Sequence, residues 1–331
     1  MSQLRRHCLV LGGTGHIGNA LVRALLRDGH DVAVTCRRAN GRANLDDLNI
    51  TVMVGDDRKP GQIQRWTRGR DLVIDAAAPY PVQLIDPDKS RNDHAQHAFS
   101  RCRQLINAVR DHDAELVYIS SFTTLRSHRH WRDRLQSAMI QGSHPYFEIK
   151  AVIERNIIAA VDDGLRAVVI NPSVCLGPWD LKAPEACFVA SAARGDLWGV
   201  TQQPLNVIDV RDVADMALKA IAMSRYGEPV AVSGHNIELA SLVRMICQLA
   251  GQRPPAIRAS TRFAAAGAYW TELMFAALGQ SSPYPSLPFL LLCECQATNR
   301  SRAQQELGIR PRALDVTLRD ALSWYRKIGY C

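Results

Sequence analysis

Gly12, Gly15 and Gly18 stand three residues apart, directly after the apolar run at residues 8–11 and before an amphipathic stretch. An apolar run, a glycine turn and then a helix is the opening of a parallel sheet covered by helices. Glycines let backbone N–H groups come close to a pyrophosphate, and the following helix aims the positive end of its dipole at the same charge. Gly12, Thr14, Gly15, His16, Ile17 and Gly18 are therefore the expected dinucleotide cradle. The spacing is G-x-x-G-x-x-G rather than the more familiar G-x-G-x-x-G.

The same alternation continues through the first half of the chain. Apolar strands are expected at residues 8–12, 31–35, 50–54, 71–77, 115–120 and 166–170, with helices at 19–27, 92–110 and 146–161. This is the pattern of an α/β fold, a Rossmann-type doubly wound parallel sheet. Residues 206–210 and 229–233, with a helix at 213–223 between them, read as returns to that sheet. A smaller, mostly C-terminal substrate-binding domain completes the expected organisation. Residues 1–172 plus about 204–235 would bind the dinucleotide, and about 173–203 plus 236–331 would form the second domain, ending in a helix at 314–326.

Bulk properties narrow the class. Of 40 basic residues, 34 are arginines scattered along the chain, aromatics are 6%, and no nucleic-acid motif occurs. The net charge of +8 thus reads as an arginine-rich composition, with no nucleic-acid partner expected. The nine cysteines are odd in number and lack paired C-x-x-C spacing, which predicts reduced thiols, no metal and a cytoplasmic protein. Arg5, Arg6 and His7 lead straight towards the first strand without a cleavable apolar leader. Residues 273–293 carry no charge, but Pro283, Pro285 and Pro288 would break a membrane-spanning helix. That stretch reads instead as a lid over substrate or a surface that touches a membrane.

Tyr146 and Lys150 lie four residues apart, on one face of the expected helix. A nearby ammonium stabilises a phenolate and makes tyrosine a usable acid/base near neutrality. Lys150 could also hold the ribose hydroxyls of a nicotinamide nucleotide. Ser120 and Ser121 end the fifth strand, at the sheet edge that faces ligands in such folds. Ser121 is the expected partner of the substrate oxygen, with Thr123 as the alternative.

Taken in order, residues 12–18, 117–121, 146–150, 170–173 with Gly177-Pro178, and 206–214 resemble the extended short-chain dehydrogenases/reductases, also called the NAD-dependent epimerase/dehydratase family. Asn171-Pro172, residues 177–180 and Glu306-Leu307-Gly308 resemble most the dihydroflavonol-reductase-like and hopanoid-associated sugar-epimerase-like members. The resemblance implies Ser121, Tyr146 and Lys150 as catalytic residues, and Asp56, Ala77, Tyr146, Lys150 and Pro172 as cofactor contacts. Three positions depart from the family pattern. Asp75 stands where relatives often carry histidine, Ala98 where many have asparagine, and Arg211 where an aspartate commonly precedes Asp212.

Cofactor choice follows from charge. An acidic residue after the second strand would repel a 2′-phosphate, and this chain has Arg37 and Arg38 there. Two guanidiniums suit a phosphate, so NADP(H) is favoured over NAD(H). Leu205 occupies the place where nucleotide-sugar epimerases of the family carry a diphosphate-binding arginine, and residues 269–292 are uncharged apart from Glu272. Both point to a largely apolar small-molecule substrate, while the basic residues 126–134 leave room for an anionic end. The expected reaction is NADP(H)-dependent interconversion of a carbonyl and a hydroxyl. A sugar epimerase with retained cofactor and a non-catalytic nucleotide-binding regulator are the alternatives. Peripheral membrane contact and a homodimer stay open.

Overall fold

The structure is a computed structural model that describes residues 4–37, 44–77, 91–125, 139, 142, 144–181, 187–297 and 302–331. Its first half runs β1 (His7–Leu11), α1 (His16–Arg27), β2 (Asp31–Cys36), β3 (Thr51–Val54), α2 (Gln62–Thr67), β4 (Leu72–Asp75), α3 (Arg91–Asp111), β5 (Glu115–Ile119), α4 (Pro145–Asp162) and β6 (Ala167–Pro172). The chain leaves the sheet through β7 (Val174–Leu176), α5 (Phe188–Arg194), β8 (Gly199–Thr201), β9 (Pro204–Asp209) and α6 (Val210–Ala222), then returns with β10 (Pro229–Val232). After β10 come β11 (His235–Glu238), α7 (Leu239–Ala250), β12 (Ile257–Ala259), α8 (Thr261–Ala277), α9 (Leu287–Glu294), α10 (Arg302–Leu307) and α11 (Leu314–Lys327).

Seven parallel strands form the main sheet in the order β3-β2-β1-β4-β5-β6-β10. The chain moves outward in both directions from β1, so a crevice opens between the carboxyl ends of β1 and β4. Alternation within each strand builds two cores. Cys8 and Val10 pack on one face with α1 and α6, and Leu9 and Leu11 on the other with α3 and α4. β1 ends where Gly12 takes a positive φ of 77°, which a side chain would strain.

Residues 206–210 do not return to the main sheet. β9 lies in a separate three-stranded sheet, parallel to β7 and antiparallel to β11. The free edge of β6 is already taken by β10, whose Pro229 to Val232 register with Val169 to Pro172. The apolar run of β9 serves both sides: Ile208 packs with the main core, and Leu205 and Val207 with a third core beside α5, α7 and α11. Periodicity alone gives a buried strand without saying which sheet it joins.

Asp209 ties these parts together. It caps α6 by accepting from the Arg211 backbone N–H at 2.8 Å, pairs with the Arg211 guanidinium at 2.6 Å, and accepts from the α11 hydroxyl Thr317 Oγ1 at 2.7 Å. Arg211 continues to Asp320 at 2.6 Å, which accounts for an arginine at this position. Burial alone would raise the Asp209 pKa; the bonds from Arg211 and Thr317 outweigh it and hold the carboxylate below its ordinary range. Its stabilising effect is thus present above about pH 4 and lost as pH falls through the lowered value. Asp209→Asn should lower the melting temperature at neutral pH, consistent with a loss of about 1–3 kcal/mol. Thermal scans of both proteins should show the gap narrowing below about pH 4.

Candidate active site

Six expected site segments meet at the carboxyl edge of the main sheet. Gly12 follows β1, Arg37 follows β2, Asp56 follows β3, Ala77 follows β4, Ser121 follows β5 and Pro172 ends β6. Parallel strands make this unavoidable, because every strand delivers its following loop to the same side. Arg37 is exposed there, while Arg38 and the basic segment 126–134 fall outside the described residues.

The turn into α1 is shaped by what cannot fit. A Cβ on Gly12 would meet the Ala76 carbonyl and Ala77 Cα at 2.9 Å, and one on Gly13 would meet Val34 Cγ1 at 2.5 Å. A Cβ on Gly18 would overlap the Gly12 carbonyl oxygen. Gly15 caps α1 in extended geometry and supplies no side-chain oxygen, and no acid stands in the first turn. The leading N–H groups at His16, Ile17 and Gly18 thus belong to a helix end suited to an anion, with half-buried Thr14 beside it. These residues fit the pyrophosphate of a dinucleotide. Asp56 is held by Arg58 at 2.6 Å, and that contact brings its pKa down to about 2.

Asp75 has a partner that lies far away in sequence. Its carboxylate is buried and takes both terminal nitrogens of the buried Arg101 on α3, at 2.8 and 2.9 Å. Arg101 Nε reaches Asp57 at 2.5 Å, so one guanidinium spans the loop after β3 and the end of β4. Burial would raise the Asp75 pKa, but the charge and bonds of Arg101 outweigh it and hold the group ionised. Asp75 also accepts from the Ala77 N–H at 3.1 Å, fixing the backbone that faces Gly12.

Tyr146 and Lys150 open α4, whose start is capped by His144 Nδ1 accepting from the Tyr146 N–H at 3.2 Å. Both side chains are buried. Lys150 Nζ donates to the Ile119 carbonyl at 3.0 Å, at the end of β5 and two residues before Ser121. Burial pushes the Lys150 pKa down to about 8; Asp75 and Glu154 favour its charge and Arg101 opposes it. Ser121 Oγ accepts from Thr123 Oγ1 at 2.9 Å and from the Thr123 N–H at 3.2 Å. Its lone pairs are thereby engaged, leaving its proton for an oxygen acceptor. Thr123, the alternative to Ser121, therefore orients Ser121.

Glu154 completes the constellation and was not expected from sequence. Its buried carboxylate accepts from Ser120 Oγ, from Thr124 Oγ1 at 2.7 Å and from Asn171 Nδ2 at 2.8 Å. Asn171 Nδ2 also donates to the Ser121 carbonyl at 3.0 Å. The serine turn, β6 and the tyrosine–lysine helix are joined through this one side chain. A signal was present, because Glu154 continues the four-residue spacing of Tyr146 and Lys150 on one helix face.

The NAD dependent epimerase/dehydratase family profile matches residues 8–233. The chain is 27% identical over 332 residues to a Synechocystis sp. protein named as a dihydroflavonol 4-reductase, covering 97% of this chain and 95% of that one. It is 26% identical over 333 residues to sterol demethylase protein B of Methylococcus capsulatus, covering 97% and 98%. The crystal structure of gox2253 superposes with a TM-score of 0.79 at 26% identity, over 98% of this chain and 99% of that one. The glycine turn, the strand order and these matches together make the chain an enzyme of the extended short-chain dehydrogenase/reductase type, with a nicotinamide cofactor and membership of the NAD-dependent epimerase/dehydratase family.

Proposed function

We propose that the protein is an NADP(H)-dependent reductase, or dehydrogenase in reverse, for a carbonyl/hydroxyl on a largely apolar small molecule. The observation that carries this reading is the packing of Tyr146. Its ring and Phe147 share a small apolar cluster with Ala265 of α8 and Leu287 and Leu290 of α9. The tyrosine thus lies under an apolar roof, as a site for an apolar substrate needs. Leu205 supports the same reading: it is buried in the third core, and a leucine offers no guanidinium to a sugar-nucleotide diphosphate. The reductase name of the Synechocystis relative is consistent with it.

The bound nicotinamide would supply or accept the hydride at the substrate carbon. Tyr146 would give its phenolic proton to the carbonyl oxygen as that oxygen gains charge, and take it back in the reverse direction. Lys150 would favour the phenolate by its ammonium and hold ribose hydroxyls. Ser121 would donate to the same oxygen, with Thr123 and the Glu154 network fixing its direction. Gly12, Thr14, Gly15, His16, Ile17 and Gly18 would hold the pyrophosphate. Asp56, Ala77 and Pro172 would border the nucleotide, and Arg37 with Arg38 would grip a 2′-phosphate.

Tyr146→Phe should leave nucleotide affinity nearly unchanged and lower turnover roughly a hundredfold or more, the scale of a positioned acid/base group. Carbonyl compounds screened by NADPH absorbance supply the assay, and full activity in that variant rules out the proton role. Tightly co-purified nucleotide with no net oxidation would replace this reading by an epimerase. Binding without turnover on any compound would replace it by a regulator.

Lys150 gives a pH signature. Its lowered pKa means that the ammonium is present below about pH 8 and lost above it. Nucleotide affinity, titrated by fluorescence, should fall as pH rises through about 8, and the Lys150→Met profile should be flat there. A flat wild-type profile would remove the lysine from the nucleotide site.

The phosphate assignment is tested by titrating NADPH and NADH separately. A charge-assisted contact contributes about 1.5–3 kcal/mol, so NADPH should bind tighter by roughly tenfold to a few hundredfold. Replacing Arg37 and Arg38 by alanine should weaken NADPH far more than NADH, and added salt should narrow the wild-type preference. Equal losses for the two nucleotides would make these arginines ordinary surface charges.

A further inference from the structure

Helix α8 is buried on one side and apolar on the side that faces outward. Thr261, Ala265, Ala268 and Glu272 are buried, and Ala265 belongs to the cluster that packs on Tyr146 and Phe147. On the opposite side Phe263, Trp270, Met274 and Leu278 are 81%, 65%, 67% and 71% exposed. Their spacings of seven, four and four residues make one continuous stripe, with exposed Ala266, Gly267 and Ala277 filling the gaps. A solvent-facing helix normally carries charge on that side, and this stripe carries none.

We propose that this stripe is a docking face for an anionic phospholipid bilayer, with α8 lying in the plane of the interface. Charge complementarity singles out that partner. Residues 251–294 contain three arginines, Arg253, Arg258 and Arg262, all exposed, and two acids, Glu272, which is buried, and Glu294, which is half-buried. The arginines precede or open the stripe in sequence, where Ile257 of β12 and Trp198, just before its partner strand β8, are also exposed. Large apolar residues inserting below basic and aromatic ones is the composition of an interfacial helix. A second copy of the chain is a poorer occupant. In a two-fold contact each patch meets its own likeness, whereas an anionic surface supplies the charge opposite to that of the exposed arginines. The bilayer would then lie against the helix that roofs the active site, giving an apolar substrate a route that avoids bulk water.

Flotation of the purified full-length chain with vesicles tests this. At low salt the protein should float with phosphatidylcholine–phosphatidylglycerol vesicles and much less with phosphatidylcholine alone. Trp270→Ser with Met274→Ser should abolish flotation while leaving the melting temperature unchanged; Phe263→Ser with Leu278→Ser serves if the first pair misfolds. Arg258→Ser with Arg262→Ser should weaken binding by about fivefold per arginine, the usual value of a basic residue near an anionic surface. A wild-type protein that does not float with anionic vesicles overturns the proposal, as does equal flotation of the apolar variants. A dimer by light scattering that Trp270→Ser with Met274→Ser splits would assign the face to a second copy. Vesicle binding needs no substrate, so either outcome leaves the reductase reading to its own tests.

Discussion

The approach of α1 to the end of β1 is the constraint from which the rest of the site follows. Gly18 lies so close to the Gly12 carbonyl that no side chain fits, and Gly12 in turn touches the backbone of Ala76 and Ala77. Helix, turn and the end of β4 are thereby locked at one spacing. That spacing brings the leading N–H groups of α1 to the crevice where strand order reverses. A methyl group at either glycine would push the helix away and spoil both the packing of α1 on the sheet and its use as an anion site.

Around this turn the protein buries charge to hold strand ends and the turns that follow them. Asp75 and Asp57 share Arg101, and Glu154 gathers Ser120, Thr124 and Asn171. Such groups are expensive to take out of water unless each is fully paired, and removing one partner leaves the others stranded. Their arrangement fits a positional role. One network fixes the backbone facing the glycine turn, and the other fixes the serine turn against α4. Lys150 stands between them, drawn towards neutrality by its burial and kept partly charged by Asp75 and Glu154.

Local patterns were the legible part. The glycine turn, the order of strands and helices in the first half, and the tyrosine–lysine pair are set by neighbours a few residues apart, so sequence periodicity displays them. Asp75 was visible as an acid in an apolar strand, but its partner is 26 residues away among 34 arginines, and no spacing rule selects Arg101. The same limit explains β9. Its apolar residues announce a buried strand, whereas its sheet depends on β10 already occupying the edge of β6. The uncharged stretch after residue 272 was recognisable as unusual. Only the fold divides the helix into a side that packs on Tyr146 and a side that faces outward.

Tyr146 is at once the proposed proton carrier and a member of one apolar cluster with Phe147, Ala265, Leu287 and Leu290. On that assignment, a change of size within the cluster would disturb the ring that meets the substrate oxygen. Selectivity and turnover would then be coupled traits in this protein. A lineage drifting towards a bulkier or slimmer substrate must retune its rate through the same few residues, which narrows the evolutionary paths open to it and favours paired substitutions across the two helices.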